Sequence, residues 1–142
     1  MNWALKSPAF GDIVRVKNGS FYHYGIYATD TEIIQFGLIP SRRAEIKDAD
    51  IEVCVTDVEG FLDGGIIEVG ECEEDDIAKK RSPEAVVTYA RERIGVKGYN
   101  IIHNNCEHFA FDCLLGERRC QQEAVVREHF RRLMAEKFGS KS

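Results

Sequence analysis

Among the five cysteines and four histidines of this 142-residue chain, Cys106 stands where a thiol can do chemistry. The run Asn104-Asn105-Cys106-Glu107-His108-Phe109 puts it at the opening of an expected helix, directly after residues that can cap one. A helix N-terminus carries a partial positive charge and N–H groups without intrahelical partners. Both favour thiolate over thiol, and thiolate is the nucleophile. The same N–H groups can steady an oxyanion as it forms, so Asn105 and Cys106 are the candidates for cap and oxyanion support. A plainer reading is a small core cysteine at a helix start.

Two further residues could serve such a thiol. His23 lies in the aromatic run Phe21-Tyr22-His23-Tyr24-Gly25-Ile26-Tyr27, which reads as a strand. A neutral imidazole there can take the thiol proton and later protonate a leaving group. Gln35 lies on the expected partner strand, Glu32–Phe36. If the hairpin loop is centred on Thr29, Gln35 falls directly across from His23, and its amide oxygen can accept the Nδ1–H and hold one tautomer. A two-residue turn would put it out of register. Singly, each admits a bland alternative: a core or surface histidine, and a surface glutamine on an edge strand. Together they form a nucleophile, a base and an orienter. Tyr22, Tyr24 and Phe36 flank them and suit an apolar substrate groove as well as a core.

The elements that must position these residues follow from pattern. Residues 9–40 read as β, with Asp12–Val16 alternating, Asn18-Gly19 a turn pair and Thr29-Asp30-Thr31 a second turn. Ile51–Val55 and Ile66–Val69 read as further strands, and Phe61-Leu62-Asp63-Gly64-Gly65 as a turn. Glu71 to Asp76 is acidic and expected to be a solvated loop. Ser82-Pro83-Glu84 is a helix start, with Val86, Val87, Ala90 and Ile94 at helical spacing and Gly95 to close it. Tyr99-Asn100-Ile101-Ile102 is a short connector or strand. A helix from Cys106 to about Leu115 closes at Gly116. A last one runs from about 121 to 138, its stripe of Val126, Phe130, Leu133 and Met134 ringed by Arg127, Arg131 and Arg132. That stripe is expected to be core packing, with a membrane surface or partner as the alternative.

Length and composition point to one domain over residues 1–142, with a core at about 9–123. The formal net charge of −5 argues against nucleic acid as a partner. No signal-like segment and no span of roughly 18 apolar residues is seen. A cytoplasmic chain is expected, at most peripheral to a membrane. The odd, widely spaced cysteines argue for reduced thiols over a disulfide framework. Cys106, His108 and Cys113 have no recognised zinc spacing, and no cofactor is expected. Cys113, seven residues after Cys106, belongs in the core.

The runs Gly11-Asp12-Ile13-Val14, His23-Tyr24-Gly25-Ile26-Tyr27 and Asn105-Cys106-Glu107-His108-Phe109 together resemble the lecithin:retinol acyltransferase family. That family is similar to the permuted branch of the NlpC-type, papain-like thiol hydrolases. Phe61–Gly65, Ile94-Gly95 and Tyr99 fit the same pattern. The resemblance implies an α+β fold: an antiparallel sheet packed on helices, circularly permuted relative to papain. It implies roles of nucleophile for Cys106, base for His23 and third polar residue for Gln35, where many animal members carry a second histidine. In those terms His108 is structural. The implied activity is thioester-forming hydrolysis or transfer of acyl groups, with lipid substrates. The wider group would imply an amidase or peptidase, and some members a non-catalytic interaction module.

Overall fold

The computed structural model describes residues 1–37, 50–100, 104–120, 128 and 131–136. Its sheet is built from β1 (Asn2–Ala4), β2 (Ile13–Asn18), β3 (Phe21–Thr29), β4 (Glu32–Phe36), β5 (Val53–Thr56) and β6 (Ile67–Glu71). The spatial order is β1-β6-β2-β3-β4-β5, with every neighbouring pair antiparallel. The helices are α1 (Val58–Leu62), α2 (Glu74–Ile77), α3 (Pro83–Glu92) and α4 (Cys106–Leu115). This is the expected antiparallel α+β architecture. Among the described residues no helix is long and apolar enough to cross a membrane.

Strand alternation sorts the apolar side chains onto two faces. Ile13, Tyr24, Ile26, Ala28, Ile34, Phe36 and Val53 share one core with α3 and α4. Val14, Val16, Tyr27, Ile33 and Val69 form a second core around Phe61 of α1. The helix α4 is buried along nearly its whole circumference, Asp112 alone being less than fully buried. It therefore sits inside the protein, whereas α3 buries only Val86, Val87 and Ala90.

Several local expectations need correction. Val58–Leu62, partly read as a turn, is helical because the Asp57 side chain caps it, accepting from Gly60 N at 2.6 Å. The turn follows, through left-handed Asp63. The acidic 71–76 run is not a loop: β6 reaches Glu71 and α2 begins at Glu74. Asp76 is buried against Arg119, whose guanidinium donates to its carboxylate at 2.8 and 3.0 Å. The strand Asn2–Ala4, whose three residues pair with Glu71, Gly70 and Val69, was absent from the sequence reading. Of the last expected helix, residues 128 and 131–136 are helical, and Leu133 is half exposed, not core. Val126 and Phe130 lie outside the described residues, as do Ile101, Ile102 and His103.

Gly25 is where the sheet is tightest. A Cβ there would stand 2.7 Å from Ile33 Cγ2 and 2.8 Å from Phe61 Cε1. The phenyl ring of Phe61 in turn lies 5.0 Å from the His23 ring, centroid to centroid. Gly25→Ala is expected to lower the unfolding free energy by about 1–3 kcal/mol through overpacking. Urea denaturation would read this as a lower midpoint at unchanged slope. An unchanged midpoint would mean that Phe61 can yield freely.

Candidate active site

The β3–β4 hairpin does not place Gln35 opposite His23. The ladder pairs Thr29 with Glu32, shifts register between Tyr27 and Thr29, and then pairs Tyr27 with Ile33 and Gly25 with Gln35. Continued from Thr29–Glu32 the ladder would set Gln35 against Ile26, and the bulge moves it one step, to Gly25. Gln35 nevertheless reaches His23 diagonally, which a long side chain can do across neighbouring strands. Gln35 Oε1 and His23 Nε2 are 2.7 Å apart, with both residues buried.

The ring atom is Nε2, not the Nδ1 expected from the sequence. Gln35 Nε2 donates to the Gly37 carbonyl at 3.2 Å and approaches Cys54 Sγ at 3.8 Å. A carbonyl only accepts, so the amide orientation is set, and Gln35 Oε1 faces the imidazole. An amide oxygen also only accepts. The His23 proton therefore resides on Nε2, and Nδ1 is left as the basic nitrogen.

The thiol arrives from the other core. Asn105 caps α4: its side chain accepts from Glu107 N at 3.0 Å and His108 N at 3.2 Å. His108 Nδ1 accepts from Asn105 N at 3.2 Å and closes the box. His108 is thus a capping residue. Two first-turn N–H groups, those of Glu107 and His108, are thus already bonded to Asn105. Cys106, buried at the first helical position, directs Sγ toward the Tyr22 carbonyl at 3.9 Å. That carbonyl immediately precedes His23.

His23 and Gln35 stand on the α1 side of the sheet, and Cys106 packs on the α4 side. Among the described residues β4 pairs with β3 only from Gly25 onward. Gly37, at φ +124°, turns the chain after Phe36.

The candidate substrate residues part company. Tyr24 is 1% exposed, its hydroxyl accepting from Arg15 at 3.4 Å. Burial, then the Glu107 carboxylate, pushes its phenol up. It is part of the core. Tyr22 is half-buried, with the Arg15 guanidinium 3.8 Å over its ring.

Glu107 received no role from the sequence, yet it is fully buried beside the thiol residue. Cys120 donates to its carboxylate at 3.4 Å and lies 3.7 Å from Asn105 Nδ2. Cys54, behind Gln35, was likewise missed. Its direct pairing with Gln35 was hidden by the distance between the two strands in the chain.

The family model described as lecithin retinol acyltransferase matches residues 6–119. Lecithin retinol acyltransferase of Rattus norvegicus is 28% identical over an alignment covering 80% of this chain and 57% of that protein. The Mus musculus protein of the same name is 29% identical, covering 82% and 58%. Phospholipase A and acyltransferase 4 of Homo sapiens is 25% identical, covering 82% and 76%. The chain thus spans little more than half the length of the two rodent relatives.

Nitrogen NMR of histidine-labelled protein at neutral pH should report the His23 proton on Nε2. In Gln35→Leu that preference should disappear. A proton on Nδ1 in the unmodified protein would contradict the assigned bond. Asn105→Ala should cost about 1–2 kcal/mol of stability through loss of the cap, read by thermal unfolding.

Proposed function

The chain belongs to the lecithin retinol acyltransferase family, and on that premise we propose that it is a cysteine-dependent acyl hydrolase or acyltransferase acting on lipid acyl groups. The names of its relatives denote acyl transfer and phospholipase activity. The observation that carries the reading is the 2.7 Å Gln35–His23 contact, which leaves Nδ1 of a buried imidazole as the base. In this reading the fold is a permuted papain-like one, with the base strand preceding the nucleophile helix along the chain. The protein meets its substrate in the cytoplasm, at a membrane surface.

The proposed reaction uses this chain's residues alone. His23 Nδ1 takes the proton of the Cys106 thiol. The thiolate attacks the acyl carbonyl, and the C–S bond forms as the carbonyl π pair moves to oxygen. The main-chain N–H of Cys106, at the positive end of α4, stabilises that oxyanion. Collapse expels the leaving oxygen, which receives the proton from His23, and a thioester remains. Water or an acceptor alcohol or amine then attacks the thioester, giving its proton to His23, and the thiolate leaves to be reprotonated. Gln35, a neutral amide, holds the tautomer without adding charge. The imidazolium is stabilised by the thiolate it faces.

Reactivity of the individual thiols tests this. Burial pushes the Cys54, Cys72 and Cys113 thiols up, so each is held protonated at neutral pH and alkylates slowly. Cys106 should react fastest with iodoacetamide at neutral pH, and His23→Ala should remove that advantage. Incubation with phosphatidylcholine vesicles should leave an acyl mass on Cys106. His23→Ala should lower ester turnover by roughly 100- to 10,000-fold. A Cys106 no faster than Cys54, indifferent to His23, would defeat the enzyme reading and leave an interaction module on the same fold.

A further inference from the structure

Arg15 is an enclosed charge to which the candidate site assigns no role. Strand alternation turns it, like Ile13, to the α4 face of the sheet. The ladder sets Glu68 directly across from it on one side and Tyr24 on the other. The guanidinium donates to one Glu68 oxygen, through Nε at 3.2 Å and Nη2 at 3.0 Å. Through Nη1 it donates to the Tyr24 hydroxyl at 3.4 Å. Two aromatic rings reach it, Trp3 from β1 and Tyr22 from β3, with centroids 4.2 and 3.8 Å from the guanidinium carbon. Trp3 offers a ring and not a donor, since its Nε1 is buried and makes no hydrogen bond among the described residues.

The Arg15 and Glu68 side chains are 14% and 21% exposed. At that degree of enclosure desolvation offsets much of the attraction, and an apolar pair of the same shape would hold the sheet about as well. What an apolar pair lacks is direction. A guanidinium is planar, its fork is fixed by the carboxylate, and its flat face restrains an aromatic ring laid on it. One ring so restrained belongs to Tyr22, and at Tyr22 the two halves of the candidate site meet. Its carbonyl faces Cys106 Sγ at 3.9 Å, and its peptide bond leads directly into His23. Side chains occupy discrete rotamers, so a ring held in place restrains the backbone that carries it.

We propose that Arg15 is a positioning residue for Cys106 and His23, acting through the ring of Tyr22, an assignment that rests on the reading of those two as nucleophile and base. Arg15 takes no part in making or breaking bonds. It holds the Tyr22 ring, the ring holds the strand at residues 22 and 23, and the strand sets the imidazole against the thiol. Without the guanidinium the ring gains freedom, and the carbonyl and the imidazole drift together relative to Sγ. A displacement on the order of 1 Å at reacting groups is enough to cost up to about 100-fold in rate.

Two readouts test this, one at the thiol and one at the strand. Alkylation of Cys106 by iodoacetamide is followed against pH by mass spectrometry, and amide hydrogen exchange is followed at residues 21–24. Arg15→Met is made together with Glu68→Gln, so that no carboxylate is stranded, and Glu68→Gln alone is its reference. Arg15→Lys is made in the unmodified protein. In Arg15→Met, alkylation at neutral pH should fall about tenfold, its midpoint should move to higher pH, and exchange at 21–24 should quicken while that of α3 holds. Arg15→Lys keeps the charge and loses the planar stack, so it should behave alike. Adding Tyr22→Leu to Arg15→Met should cost little more, because both act through one ring. Alkylation and exchange both unchanged in the two Arg15 variants would overturn the assignment. Full retention in Arg15→Lys would overturn it as well, by making charge the agent instead of the stack. If Cys106 is no faster than Cys54 in the unmodified protein, yet exchange at 21–24 quickens in the variants, the hold of Arg15 on the strand stands and the catalytic reading of Cys106 falls. Arg15→Lys carries the test should Arg15→Met fail to fold.

Discussion

Everything at this site depends on how β3 pairs with β4. A shift between Tyr27 and Thr29 carries Gln35 to a place opposite Gly25. Gly25 has no side chain to obstruct it, and the glutamine amide extends past it to the imidazole of His23 at 2.7 Å. A residue with a Cβ at position 25 would press on Ile33 and Phe61, the ring that backs His23. One glycine therefore serves both as the floor beneath the glutamine and as the gap into which the aromatic wall fits. The amide is then tied at its other end to the Gly37 carbonyl, one residue past the end of β4.

The thiol comes from α4. A helix buried along nearly its full circumference is an unusual place for a reactive group, since burial disfavours charge. The cap resolves the conflict by placing Cys106 at the first helical position. There the macrodipole is felt, and Asn105 with His108 closes the helix end. Deeper along the same helix Cys113 lacks any such help, and burial raises its pKa. Two cysteines two turns apart thus differ in what the fold lets them do.

Much of this was legible in the chain. Asn105, Ser82 and Gly116 marked their helix ends because capping is local chemistry, read within four residues. Cys106 and His23 stood out because residue type and neighbouring pattern suffice to single them out. Gln35 was found for the right partner by the wrong route, since the register follows from a turn that closes on Thr29–Glu32 and a bulge beside it, and periodicity announces neither. The ring nitrogen it bonds depends on how the side chains converge, which pairing alone does not encode. The helical start of α2 was hidden because a run of acids reads as solvated. The distant Arg119, bonded to its carboxylate, offsets the burial of Asp76. Cys54 and Glu107 owe their places to strands and loops far off in sequence.

The two halves of the site belong to different cores, His23 leaning on Phe61 and Cys106 packed with the α3–α4 layer. Among the described residues the two cores share no member. Local openings in proteins draw on much less free energy than global unfolding, and loosening either core alone is enough to part the pair. The catalysis proposed for these two residues would be a property of the seam between the cores. It should fade in mild denaturant while the spectroscopic signature of the sheet is still intact, so enzymatic half-life and structural half-life become two separate quantities.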